Sequence, residues 1–209
     1  MKRFAISALA FLSAAANAAE TPARGDLLPP PSQAQPSPEI VKCLVKIDVG
    51  FYDYDGKHGK GSLIVNRDLA SDLARIFSMI EQTHFPVKGV NPVSSFGWSD
   101  ENSMLADNTS AYNYRPITGG GSLSFHATGR AIDINPFCNP YVANGHVPDP
   151  AGSMHDPSQA CALDSPGGAA VRKVFAQLGW TWGGSWTNPK DFQHFEKAGP
   201  NGKRAPYCR

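Results

Sequence analysis

The chain has no apolar run long enough to cross a bilayer as a mature helix, no Cys-x-x-Cys pair, and no helical motif with two histidines one turn apart. It also has no internal repeat and no excess of either charge. Each absence excludes something. A membrane-spanning helix needs about 20 apolar residues, and the longest candidate here, residues 4–16, is shorter. That stretch follows Lys2 and Arg3 and runs into Ala-Asn-Ala at 16–18, so residues 1–18 read as a secretory signal peptide. No cysteine follows closely enough to suggest a lipid anchor. The protein is expected in the periplasm or the extracellular medium, not embedded in a membrane.

Removing Lys2 and Arg3 leaves 17 basic against 18 acidic side chains. Near-neutrality gives no electrostatic reason to expect nucleic acid or acidic membranes as partners. Residues 19–38, rich in Pro, Ser, Gln and Ala, offer little apolar surface and are expected to form an extended linker or disordered arm. Residues 39–209 then make one catalytic domain, large enough for a true core.

Within it, Asn66 is placed to cap a helix in which Leu69, Leu73, Ile76, Phe77 and Ile80 recur at helical spacing, ending before Pro86. A second helix fits 165–178, with Val171, Val174, Phe175 and Leu178 inward and Gly179 as its stop. Strand candidates are 43–49, 87–90, 130–135, 181–183 and 192–196, with a turn or hairpin at 51–56. Helices mixed with short strands and no regular βαβ repeat argue an α+β fold.

Four cysteines, Cys43, Cys138, Cys161 and Cys208, in a chain with a signal peptide favour two disulfides, with three possible connectivities. The pairing expected is Cys138–Cys161, pinning the loop after the 130–135 strand, and Cys43–Cys208, tying the chain ends.

The chemistry concentrates in Ser-Phe-His-Ala-Thr-Gly-Arg-Ala-Ile-Asp at 124–133 and Asp-Phe-Gln-His-Phe-Glu at 191–196. Together they offer His126, Asp133 and His194. Two imidazoles and a carboxylate with an open fourth position are a normal shell for a catalytic zinc ion. Gly129 permits a bend after His126. Strand alternation would set Ala131 and Asp133 on one face, Ile132 and Ile134 on the other, and His194 with Glu196 on one side. On residue chemistry alone, a zinc site and a set of ordinary turn and structural residues stand as alternatives.

Ser-x-His-x-x-Gly-x-Ala-x-Asp followed by Asp-x-x-His-Phe-Glu resembles the zinc D-alanyl-D-alanine carboxypeptidase and L-alanyl-D-glutamate endopeptidase family of peptidoglycan peptidases. The likeness extends to 103–116, Asp-Ile-Asn-Pro at 133–136, Asn-Pro-Tyr at 139–141 and 179–186, covering roughly 46–196. It implies a small antiparallel sheet carrying the zinc ligands, flanked by helices. It also implies one zinc per chain on His126, Asp133 and His194, and peptidoglycan stem peptides as substrates, cut by an endopeptidase or a D,D-carboxypeptidase. The proton-shuttling carboxylate would be Asp191, three residues before the last histidine, with Glu196 as the alternative base. Arg115 would bind a substrate carboxylate or help stabilise the oxyanion, and Ser124 would contact substrate or shape a turn. Asn108 and Asn113 are weaker candidates. Trp180 and Trp182 read as core, Trp186 as a cleft wall, and His146 and His155 as surface residues. The rival reading is a non-catalytic, zinc-stabilised wall-binding or signalling module. A monomer is expected.

Overall fold

The computed structural model describes residues 19–117, 120–143, 149–199 and 208. The signal-peptide expectation at 1–18 and His146 fall outside them. Two single-turn helices, α1 (Arg24–Leu27) and α2 (Pro38–Val41), precede a long ribbon of β1 (Leu44–Tyr52) and β2 (His58–Asn66). Helix α3 (Ala70–Thr83) follows, then β3 (Gly89–Val90), α4 (Asp100–Leu105) and β4 (Asn108–Thr109). The second half holds β5 (Ala131–Asp133), β6 (Tyr141–Val142), α5 (Pro166–Gln177), β7 (Thr181–Trp182), β8 (Lys190–Asp191) and β9 (His194–Glu196). The fold is α+β. No helix among the described residues is long and apolar enough to cross a membrane.

Helix α3 starts where its cap dictates. The Asn66 side chain accepts the Asp68 N–H at 3.1 Å and opens a short 3-10 turn that runs into the helix. Leu73, Ile76, Phe77 and Ile80 face inward, each burial worth about 1.5–3 kcal/mol. The helix stops at His84, in the left-handed region at φ 52°, just before the residue that Pro86 bars from helical geometry. Ser165 caps α5 by accepting the Gly168 N–H at 3.1 Å, and Gly179 follows its end at φ 77°.

The core lies between the inner face of the ribbon (Val45, Ile47, Val49, Phe51, Leu63, Val65), helices α3 and α5, and Ile132 and Phe195. Strand β2 is absent from the sequence expectation. Gly59, Lys60 and Gly61 dilute the strand signal, yet the full antiparallel pairing runs from Leu44↔Asn66 to Tyr52↔His58. The sheet that positions the site is small: β5 pairs antiparallel with β9, and β9 with β7. Ile132 lies opposite Phe195 on the core face, while Asp133↔His194 and Ala131↔Glu196 take the other face.

Residues 19–38, expected as an extended linker or disordered arm, are packed on the domain. Leu27 joins Ile40, Leu44, Ile64 and Tyr112 in a second apolar cluster, and Pro22, Pro29 and Pro36 are also buried. Glu20 exchanges both backbone hydrogen bonds with Lys46 at 2.8 Å, and Trp98 Nε1 donates to the Gly25 carbonyl at 3.2 Å. Average composition hides this, because a few anchors with complementary partners are enough to hold an otherwise polar segment. Disulfides join Cys43 to Cys208 and Cys138 to Cys161. The second closes a span of 23 residues, for which chain entropy alone supplies on the order of 3 kcal/mol.

Gly129 links the ribbon to the site. It has φ +65°, its carbonyl accepts the Asn66 N–H at 2.8 Å, and an added Cβ would fall 2.6 Å from Asn66 N and 2.9 Å from Val65 C. The Gly129→Ala variant is expected to lose roughly 2–5 kcal/mol, the sum of the left-handed penalty and overpacking. Urea unfolding measures it; a midpoint within error of wild type would contradict this packing.

Candidate metal and catalytic site

His126 opens a short 3-10 turn (His126–Thr128), and Asp133 and His194 are cross-strand partners on β5 and β9. All three are buried. His126 Nε2 lies 3.1 Å from Asp133 Oδ2 and 3.1 Å from His194 Nδ1, and His194 Nδ1 lies 3.0 Å from Asp133 Oδ1. The far nitrogen of each ring is committed elsewhere. His126 Nδ1 donates to the Ala111 carbonyl at 2.6 Å, and His194 Nε2 donates to Glu196 Oε2 at 3.1 Å. Those bonds fix the tautomers so that two lone pairs and a carboxylate face one another. Such groups repel unless a cation or a proton lies among them.

The triangle fits a metal ion. Ligand bonds of about 2.0–2.2 Å in a tetrahedron imply donor separations of about 3.3–3.6 Å, only slightly wider than those present. The donor set, two imidazole nitrogens and one carboxylate oxygen, suits a borderline cation with an open position. Without a metal, a proton takes its place. Burial disfavours a charged His194 ring, yet bonds to Asp133 and Glu196 lift it to about 10. Burial likewise pushes Asp133 up, but the two imidazoles more than reverse this and hold it well below the usual carboxylate range.

Arg115, Ser124, Trp186, Asp191 and Glu196 share with the two histidines a cleft of about 250 Å³. Asp191 sits in β8, which pairs with β6 so that Tyr141 lies directly opposite it. Burial raises its carboxyl to about 6; the charge of Asp133 adds to this and His194 opposes it. Its Oδ1 is buried with no hydrogen-bond partner among the described residues. Gly183 makes room for it, since a Cβ there would meet the Asp191 carbonyl oxygen at 2.6 Å. A larger cleft of about 410 Å³, lined by Glu20, His58 and Glu81 among others, contains none of these groups.

Other candidates sort by their contacts. Arg115 Nε lies 2.9 Å from Asp100 Oδ2, an ion pair by distance without hydrogen-bond alignment. Asn113 donates to the other Asp100 oxygen at 2.8 Å. The Ser124 hydroxyl accepts the His126 N–H at 3.2 Å, shaping the turn that presents the imidazole. Asn108 belongs to the β3–β4 junction, where it holds Asn91 and Ser103, and does not line the cleft. Trp180 packs in the core and donates to Asp72; Trp182 donates to the Phe192 carbonyl. Trp186 stands 5.7 Å from the His194 ring. His155 departs from the surface expectation: it is half-buried, stacked on Phe192 at 3.6 Å and paired with Asp164 at 3.0 Å. Sequence reasoning missed Ala111, Asp100, Gly183 and the placement of Tyr141. A backbone carbonyl carries no sequence signal, and Asp100 reads only as a helix-start residue.

Residues 118–197 match the family model described as D-alanyl-D-alanine carboxypeptidase. The match supports the M15-type peptidase family. It takes in His126, Asp133, Asp191, His194 and Glu196, whereas Arg115 lies just outside it. No curated protein and no solved structure matched the chain. A His-Asp-His group that could hold a metal ion, with a carboxyl raised by burial in the same cleft as the two histidines, is an arrangement suited to metal-assisted hydrolysis.

The His126→Ala variant removes one of three donors and the ring that Ala111 orients. It is expected to lose nearly all bound divalent metal, while His155→Ala keeps it. Elemental analysis after dialysis checks this; full metal content in His126→Ala would rule out the triad as the binding site.

Proposed function

We propose that the chain is a zinc metallopeptidase that hydrolyses peptide bonds in peptidoglycan stem peptides, with one zinc per chain on His126, Asp133 and His194. The observation that carries this reading is the Asp191 carboxyl, raised to about 6, sharing one cleft with His126 and His194, the two imidazoles that converge with Asp133. The description of the matching family supports the substrate class.

Zinc, when bound, supplies a Lewis acid that polarises the scissile carbonyl and acidifies water. The protein's own groups do the rest. Asp191, unpartnered at Oδ1, takes the proton from the attacking water and returns it to the leaving amine. Burial brings its carboxyl up to about 6, nearer neutral pH than an ordinary carboxylate, which favours both transfers. Glu196 is engaged with His194 Nε2–H, so its part is to hold that ring rather than to move the proton. Arg115 presents a cation to the carboxylate of the substrate or to the developing oxyanion. Trp186 forms an apolar wall. Residues 39–209, with the arm of 19–38 packed on them, act as a monomeric catalytic domain, delivered to the periplasm or medium by the signal at 1–18.

Incubation of metal-loaded protein with purified muropeptides, read by mass spectrometry, tests the reading. Loss of a terminal alanine identifies a carboxypeptidase, and a cut within the stem identifies an endopeptidase. Wall binding with no cleavage of any stem peptide would instead establish the non-catalytic module.

The Asp191→Asn variant at matched metal content is expected to lower kcat/KM by about 10²–10⁴-fold. Glu196→Gln, which can still accept from His194, should cost far less. Because Asp191 must be ionised, wild-type kcat/KM should climb as pH rises through about 6, or through a lower value once a metal dication adds its field. That limb should vanish in Asp191→Asn. Abolished turnover in Glu196→Gln with turnover retained in Asp191→Asn would reverse the two roles.

A further inference from the structure

The N-terminal arm is bonded to the segment that orients the candidate ligand His126. Leu27 is buried in α1, and its carbonyl accepts the buried Tyr112 hydroxyl at 3.0 Å. Tyr112 meets the arm with its side chain, while residues 111 and 113 meet His126 through their backbone. The Ala111 carbonyl holds His126 Nδ1 at 2.6 Å, and the Asn113 N–H donates to the His126 carbonyl at 3.2 Å. One peptide segment therefore grips the arm with residue 112 and both the ring and the backbone of His126 with residues 111 and 113.

A second set of contacts runs in parallel. The Ser94 hydroxyl donates to Asp26 at 2.5 Å, and Trp98 Nε1 donates to the Gly25 carbonyl. The same stretch leads into α4, whose first residue, Asp100, holds Asn113 and pairs with Arg115. Trp98 also packs edge-on against the Tyr112 ring at 5.8 Å, so the two routes touch.

We infer that residues 20–28 are a strap that positions His126 for metal binding through Tyr112 and Ala111, which makes Leu27 and Tyr112 positioning residues rather than mere packing. The inference rests on the zinc assignment proposed above. Its consequence is that loosening or clipping the arm, far from the reacting atoms, lowers metal affinity and so switches the enzyme off. Partners that orient a ligand ring are typically worth 10–100-fold in metal affinity, and a group one step further out is expected at the lower end of that range.

The test uses the full chain and zinc competition against a chromogenic chelator. Tyr112→Phe removes only the hydroxyl and is expected to weaken zinc binding about tenfold. Tyr54→Phe removes a more exposed hydroxyl that bonds Asp107, neither residue lining the cleft, and should lower thermal stability without altering zinc affinity. Leu27→Ala, which loosens the arm, should weaken zinc binding by a similar factor, and the double variant should be no weaker than the worse single one. Zinc affinity in Tyr112→Phe equal to wild type would overturn the strap, as would fully additive losses or an equal loss in Tyr54→Phe. A wild-type protein that takes up no zinc overturns the metal assignment and this inference together.

Discussion

Three donors within about 3 Å of one another, all buried and all with their unshared electrons converging, are an arrangement that only a positive charge makes stable. The contact between Asp133 and His194 is its base, because both lie opposite each other in one antiparallel pair. Everything else about the site follows from keeping that pair, and the His126 ring above it, in place. Ile132 and Phe195, the next pair along, anchor the same two strands in the hydrophobic core against α5 and the ribbon. The core thereby sets the geometry of the polar face. A one-residue slip of register would place Asp133 out of reach of His194 and turn one strand's apolar side chains to the cleft.

Two carboxylates close together carry opposite protonation tendencies. Asp133 lies between two imidazole nitrogens and is held ionised; Asp191 is less buried as a residue, but its Oδ1 is buried with no partner among the described residues, and burial raises its carboxyl. Separation of this kind between neighbouring acids is how a single cleft divides binding from proton transfer. Glu196 completes the division, since its oxygen is committed to His194. In the proposed peptidase each of the three acids therefore has a different environment and a different task.

The groups around the site are held mostly by backbone atoms rather than by further charged side chains. Ala111, the Ser124 turn and the close approach at Gly183 each constrain a residue of the candidate site through carbonyls, N–H groups or lack of a Cβ. Such constraints cost little desolvation, because backbone groups must be paired in any case. The arm adds to them from outside the domain proper, and the disulfide at Cys138 and Cys161 steadies the chain leading from β5 to β6, the strand that pairs with Asp191.

Local pattern alone determined a good deal. Helical spacing around Leu73 and Phe77, the cap at Asn66, the second helix at 165–178 and the α+β class are all visible in single segments, because 3.6- and 2-residue periodicities are local properties of the backbone. Alternation likewise put Asp133 on one strand face and His194 with Glu196 on one side of another. What alternation cannot say is which residue faces which across strands sixty positions apart, and that register brings Asp133 and His194 together. Tertiary structure also decided that Glu196 is engaged while Asp191 Oδ1 has no partner among the described residues, that a glycine-diluted stretch forms β2, and which of three cysteine pairings occurs. It turned a proline-rich arm into a packed element, because Leu27 finds Tyr112 across 85 residues. Long-range contacts depend on how distant surfaces complement each other, and no window of neighbouring residues carries that information.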